Sequence, residues 1–140
     1  MELNLGGLSI LVVEDEPDSR EVLLHVLGSC GADVRAVDSA ERARCVLATH
    51  TPDVIVSDIG MPDEDGYSLM RSIRSLSSPV QRIPAVALTA FSSPSARDRA
   101  LSSGFDVYLV KPIQPWVLAQ LLRELTSAPS SREPTASPIR

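Results

Sequence analysis

A chain of 140 residues is long enough for one domain with a real core, and 44% hydrophobic against 22% charged residues describes an ordinary globular composition. The formal charge of −5 argues against a nonspecific grip on nucleic acid or anionic lipid, since both need a basic footprint. No apolar stretch reaches the ~18–20 residues of a membrane span. Met1 is followed by Glu2 rather than by a basic segment and a long apolar run, so neither membrane insertion nor a signal peptide is expected.

In chain order, residues 1–7 form a short leader. The first apolar run, Leu8–Val13, lies in SILVVEDEP and stops abruptly at Glu14, Asp15 and Glu16. Two carboxylates about 4 Å apart repel by about 4 kcal/mol at an effective dielectric near 20, so these acids either face solvent or have something positive among them. Pro17 suits a first helical turn, with Val22, Leu23, Val26 and Leu27 as the buried stripe and Gly31 as a left-handed cap. The second run is Val34–Val37. Ser39 then reads as the N-cap of a helix carrying Ala40, Ala43, Val46 and Leu47 on one face. The third run, Val54–Ser57, leads into Asp58 within VIVSDIGMPDEDG, and after Gly66 the residues Leu69, Met70, Ile73 and Leu76 repeat at helical spacing.

Ser77–Arg82 reads as a longer surface loop. The fourth run, Ala85–Leu88, ends at Thr89 in ALTAF, and Ser93-Pro94 opens a helix anchored only by Ala96, Ala100 and Leu101. The fifth run, Val107–Val110, leads to Lys111 in YLVKP. Pro115 opens a last helix with Leu118, Leu121, Leu122 and Leu125 inward and Trp116 off that stripe, either packed locally or, as the preferred reading, partly exposed at a partner surface. Ser127–Arg140 has three prolines, four serines and one bulky aliphatic residue, the composition of a flexible tail or linker. Cys30 and Cys45 read as small half-buried side chains in a reducing compartment, and His25 and His50 as helix-surface residues without a ligand set.

Five strand-like runs alternating with five helices imply a doubly wound parallel α/β sheet with right-handed crossovers, occupying residues 8–126. In such a sheet ligands bind beyond the carboxyl ends of the strands. The residues that follow the runs are Glu14 and Asp15, Asp58, Thr89 and Lys111: three acids, a hydroxyl and an ammonium on one rim. Clustered carboxylates raise one another's pKa or recruit a hard cation, and oxygen ligands without His or Cys suit Mg²⁺ or Mn²⁺. Such a cation, with Lys111 and Thr89, forms a cradle for a phosphoryl group, and Asp58 at its centre is then the nucleophile.

From about Leu8 to Leu125 the chain resembles a response-regulator receiver domain, and the blocks DIGMPDEDGYSLMRSIR, IPAVALTAF and SSGFDVYLVKPIQP are similar to receivers appended to hybrid sensor kinases. The resemblance rests on Glu14-Asp15, on Asp58 with Met61-Pro62 and Gly66, on Thr89, and on Lys111-Pro112, in that order at the strand ends. It implies a flavodoxin-like fold of strand order 2-1-3-4-5. It implies that Asp58 is the phosphorylation site, that Asp15 and Asp58 ligate the metal directly with Glu14 assisting, and that the backbone carbonyl of Gly60 is a further ligand. Thr89 and Lys111 would hold phosphoryl oxygens, and Tyr108 would be the aromatic switch that follows Thr89. Gly60 and Phe91 flank the path of attacking water in the family, so slow autodephosphorylation is expected.

The function implied is a cytoplasmic phosphoacceptor switch of a two-component phosphorelay. It is charged by a histidine kinase or histidine phosphotransfer protein and signals through its fourth helix, fifth strand and fifth helix, to a partner or to a second copy in a phosphorylation-dependent dimer. Such a domain catalyses its own phosphorylation without being a conventional turnover enzyme. The alternatives are a pseudo-receiver that only binds partners and an aspartyl-phosphate phosphohydrolase; the latter needs an acid two residues past its nucleophile, where Gly60 stands. A nucleotide or flavin module has neither GxGxxG nor GxxxxGK[ST] here.

Overall fold

The computed structural model describes residues 4–76 and 79–127. Five strands, β1 (Ser9–Val13), β2 (Asp33–Val37), β3 (Val54–Asp58), β4 (Ala85–Thr89) and β5 (Val107–Val110), form one parallel sheet of order β2-β1-β3-β4-β5. Between and after them run α1 (Pro17–Ser29), α2 (Ala40–Leu47), α3 (Gly66–Arg74), α4 (Pro94–Ser103) and α5 (Pro115–Ser127). The sheet order and the five helices agree with the expected architecture.

Strand side chains alternate between faces, and each face builds its own core. Ile10, Val12, Val54, Val56, Val86 and Leu88 pack under α1 and α5 against Leu23, Leu27, Leu118 and Leu122. Leu11, Val13, Ile55, Ala85 and Ala87 pack on the other face against α2, α3 and α4. Central β3 and β4 are buried throughout, whereas edge strands β2 and β5 are only half-buried. This is why the runs of β1 and β3 read as continuous apolar segments.

The helix starts follow local chemistry. Ser39, Asp65 and Ser93 cap α2, α3 and α4 by accepting the N–H of Arg42, Ser68 and Ala96. Proline occupies the first turn of α1 and α4. Gly31, at φ +99°, takes the left-handed conformation that ends α1.

Several side chains fall elsewhere than their spacing predicts. Val22 is exposed, because α1 packs on the sheet through Leu23 and Leu27 alone. Leu76 lies past the end of α3 and is exposed. In α4, Ala100 and Ser103 are the buried residues, while Ala96 and Leu101 are only half-covered. Cys30 is buried but Cys45 is exposed, so the two do not share the half-buried setting expected of them. Pro79–Arg82 forms a 3₁₀ turn that buries Val80 rather than a plain surface loop; Ser77 and Ser78 lie outside the described residues.

His50 follows the end of α2, half-buried, with Nε2 2.7 Å from Ser9 Oγ at the far end of β1, so it is not a helix-surface residue. Leu5, within the leader, is buried against the α1 face, and its N–H donates to Cys30 O. The tail beyond Ser127 lies outside the described residues. No helix among the described residues is long and apolar enough to cross a membrane.

Candidate functional site

Parallel strands place all their carboxyl ends on one side, and the chemistry-bearing residues collect there. The Glu14 N–H still donates to Val37 O of β2 at 3.0 Å, so Glu14 is held to the sheet and its side chain is 1% exposed. A buried carboxylate requires partners. Lys111 Nζ lies 3.0 Å from Glu14 Oε1, and the Glu16 N–H donates to Glu14 Oε2 at 3.1 Å. Glu16 itself turns outward as the N-cap of α1, accepting from the Ser19 N–H at 2.7 Å, and that bond holds its carboxyl below the usual range. Asp15, half-buried, lies between them.

Asp58 is the last residue of β3 and is buried, with Oδ2 3.3 Å from Lys111 Nζ. The one ammonium thus bridges two buried carboxylates. Burial first, and the neighbouring Glu14 next, push the Asp58 carboxyl up to about 7 against the opposing pull of Lys111. Burial lowers the Lys111 pKa, but its bonds to Glu14 and its attraction to Asp58 outweigh that, and the ammonium titrates above its ordinary value. One oxygen from each of Glu14, Asp15 and Asp58 lies within 4.8 Å of the others. Three carboxylates against one ammonium leave an excess of negative charge, and an all-oxygen set of this size fits a hard divalent cation.

Thr89 ends β4, fully buried, and its Oγ1 accepts the Phe91 N–H at 3.1 Å. Its carbonyl accepts the Lys111 N–H at 2.7 Å, which anchors the lysine backbone beside β4. Tyr108, half-buried on β5, donates its hydroxyl to Phe91 O. Phe91 is itself 59% exposed, and its ring edge would stand 3.8 Å from a Cβ placed on Gly60. Thr89, Phe91, Tyr108 and Gly60, separate marks in the sequence, therefore adjoin around one loop.

Gly66 has a steric reason. A Cβ there would lie 2.5 Å from the Asp58 carbonyl oxygen and 2.9 Å from Ile59 Cα, closer than real Cβ atoms come. Its N–H closes the loop by donating to Ile59 O at 2.8 Å. The outer part of the same loop is held by Glu64, which pairs with Arg44 of α2 through both carboxylate oxygens and accepts from Ser68 at 2.8 Å.

Two contributors were not legible in the sequence. Arg20 Nη1 donates to Glu14 O at 3.0 Å and, at the long limit of 3.5 Å, to Asp15 O. An arginine in the second turn of an amphipathic helix carries no mark that it reaches back to a strand end. The other is a groove of about 570 Å³ beside Lys111, lined by Asp18, Val22, Leu88, Ile113 and Pro115 among others. It also accounts for the exposure of Val22.

The response regulator receiver domain family matches residues 10–123 of the chain. The uncharacterized 14.6 kDa protein in the sodA1 3′ region of Leptolyngbya boryana is 39% identical over 120 residues, which span 86% of this chain and 91% of that protein. Sensor histidine kinase RcsC of Salmonella typhimurium is 37% identical over 115 residues; the match takes in 82% of this chain but only 12% of the kinase. Among solved structures, the receiver domain of sensor histidine kinase PA1611 from Pseudomonas aeruginosa PAO1, with a magnesium ion in its active-site cleft, superposes with a TM-score of 0.76. It is 32% identical, over 88% of this chain and 100% of that one.

Proposed function

Because this chain belongs to the response regulator receiver domain family of two-component systems, we propose that it is a phosphoacceptor switch and that Asp58 is the residue phosphorylated. The observation that carries this reading is the convergence of Glu14, Asp15, Asp58, Thr89 and Lys111 at one end of the sheet. The donor is a phosphohistidine on a histidine kinase or histidine phosphotransfer protein. The groove beside Glu14 and Lys111, lined by apolar Val22, Ile113 and Pro115 among others, would offer such a partner a docking surface.

In the transfer, an Asp58 oxygen attacks phosphorus in line as the bond from phosphorus to the imidazole nitrogen breaks. The electron pair returns to the imidazole and an acyl phosphate forms on Asp58. Asp58 must be ionised to attack. Lys111 favours that form and then follows the new charge onto a phosphoryl oxygen, while the Thr89 hydroxyl turns from Phe91 toward another. A divalent cation, Mg²⁺ or Mn²⁺, held by Asp15, Asp58, the Gly60 carbonyl and, more distantly, Glu14, would neutralise charge on the transferring group.

Movement of Thr89 is transmitted through Phe91, whose N–H it accepts and whose carbonyl Tyr108 holds. The output surface is then α4, β5 and α5, where Val110, Trp116 and Val117 are exposed. That surface serves a partner protein or a second copy. The reading assigns no direct nucleic-acid contact, no membrane insertion and a cytoplasmic location. Phe91 over Gly60 screens the acyl phosphate from water, so its hydrolysis is slow, and Phe91→Ala should shorten its lifetime.

Incubation with acetyl phosphate and Mg²⁺, followed by intact-mass measurement, tests the reading. One added phosphoryl group, lost in Asp58→Asn, is the expected result. No gain under saturating Mg²⁺ would leave a partner-binding pseudo-receiver, and sustained phosphate release from small esters would instead make it a hydrolase.

A further inference from the structure

We propose that Arg20 is a positioning residue that fixes the acidic loop for cation binding without consuming its carboxylates. The inference rests on the reading of Glu14, Asp15 and Asp58 as the cation site. Past Val13 the chain leaves the sheet, and the carbonyls of Glu14 and Asp15 lose their ladder partners. Buried backbone carbonyls require donors. Arg20 supplies one guanidinium nitrogen to both, at 3.0 and 3.5 Å.

Its backbone works in the same direction. The Arg20 N–H donates to Glu16 O at 2.9 Å, the first helical bond of α1. Glu16 in turn caps Ser19 and, through its own N–H, holds Glu14 Oε2. Residues 14–16 are therefore tied to the first turns of α1 by four hydrogen bonds, and Arg20 provides three of them.

What separates Arg20 from an ordinary ion-pair arginine is its choice of acceptors. Glu14, Asp15 and Glu16 lie within six residues of it, yet among the described residues Arg20 forms no ion pair; its side chain meets carbonyl oxygens only. A guanidinium on a carboxylate would compete with a cation for it. On the carbonyls, it orients the peptide units that carry the carboxylates and leaves the carboxylate oxygens available. A single nitrogen, Nη1, reaches both carbonyls, and the rigid guanidinium fixes its position better than a flexible, strongly hydrated lysine ammonium would. Partners that orient metal ligands typically change metal affinity by about 10–100-fold when removed.

The test is calorimetric titration of the purified protein with MgCl₂, comparing the parent, Arg20→Met, Arg20→Lys and Asp15→Asn, with thermal melts of each metal-free protein. The expected result is Mg²⁺ affinity weakened about tenfold in Arg20→Met, intermediate in Arg20→Lys and lost in Asp15→Asn. Acetyl phosphate labelling of Arg20→Met should recover the parent rate once Mg²⁺ is raised in proportion. A parent that binds no Mg²⁺ overturns the cation-site reading and this inference with it. A parent that binds while Arg20→Met binds equally well overturns this inference alone, as does a lowered melting temperature with unchanged affinity. Should Arg20→Met fail to fold, Arg20→Lys decides, and parental affinity there counts against the proposal.

Discussion

Burial and the neighbouring Glu14 raise the proton affinity of Asp58 in the native fold. Its pKa stands near 7 in the native state and near 3.8 once exposed by unfolding. Between those values the folded chain keeps a proton that the unfolded chain has released. The stabilisation from this group is therefore complete below about pH 4 and declines as pH rises toward about 7. Glu16 and Glu64 act oppositely: their pKa values are depressed, so their contribution is present above about 4.5 and is lost as pH falls from there through their lowered native values. With chelator present, the protein should melt at a lower temperature near pH 8 than near pH 5, and Asp58→Asn should lose most of that difference. An unchanged decline in the variant would mean that another group drives it.

Gly66 gives a second residue-scale prediction. An alanine there would meet the Asp58 carbonyl and Ile59 Cα, both backbone, so neither can rotate away. Gly66→Ala should cost about 3 kcal/mol of stability, measured by urea unfolding, and should slow acetyl phosphate labelling by displacing Asp58.

At the scale of elements, α4 contrasts with α3. The α3 helix buries Tyr67, Leu69, Met70 and Ile73, whereas α4 buries only Ala100 and Ser103. What else holds α4 is specific: the Ser93 cap, the Arg99 guanidinium 4.2 Å above the Tyr67 ring, and the Tyr67 hydroxyl reaching Ala96 O at 3.4 Å. Low apolar burial gives low local stability. Amide hydrogen exchange should therefore be faster in α4 than in α3. Ser93→Ala should widen the gap by about 1 kcal/mol of local opening energy, the usual worth of a cap. Equal protection in the two helices would remove α4 as the mobile part of the proposed output surface.

For the whole molecule, the proposed cation site and the fold are linked. Three carboxylates and one ammonium gathered at the sheet end are a source of native-state repulsion that a bound cation would relieve. A ligand at 100 times its dissociation constant stabilises the native state by about 2.7 kcal/mol. Saturating Mg²⁺ should therefore raise the melting temperature of the parent and leave Asp15→Asn unmoved; a rise in both would place the cation elsewhere.

The sequence by itself determined the architecture and the list of candidate site residues. Five runs of Val, Ile and Leu ending in acid, hydroxyl or ammonium are legible because strand burial demands unbroken apolar residues and a parallel sheet sends every carboxyl end to one side. Caps such as Ser39 and Ser93 were legible for the same kind of local reason. Only the tertiary structure decided who touches whom. It placed Lys111 between Glu14 and Asp58, linked Thr89 to Tyr108 through the Phe91 backbone, turned Val22 out into a groove and brought Arg20 back to the end of β1. Periodicity records how often a side chain meets the core. It does not record contacts between residues 97 positions apart, such as Glu14 and Lys111, which exist only once the sheet has set strand order and register.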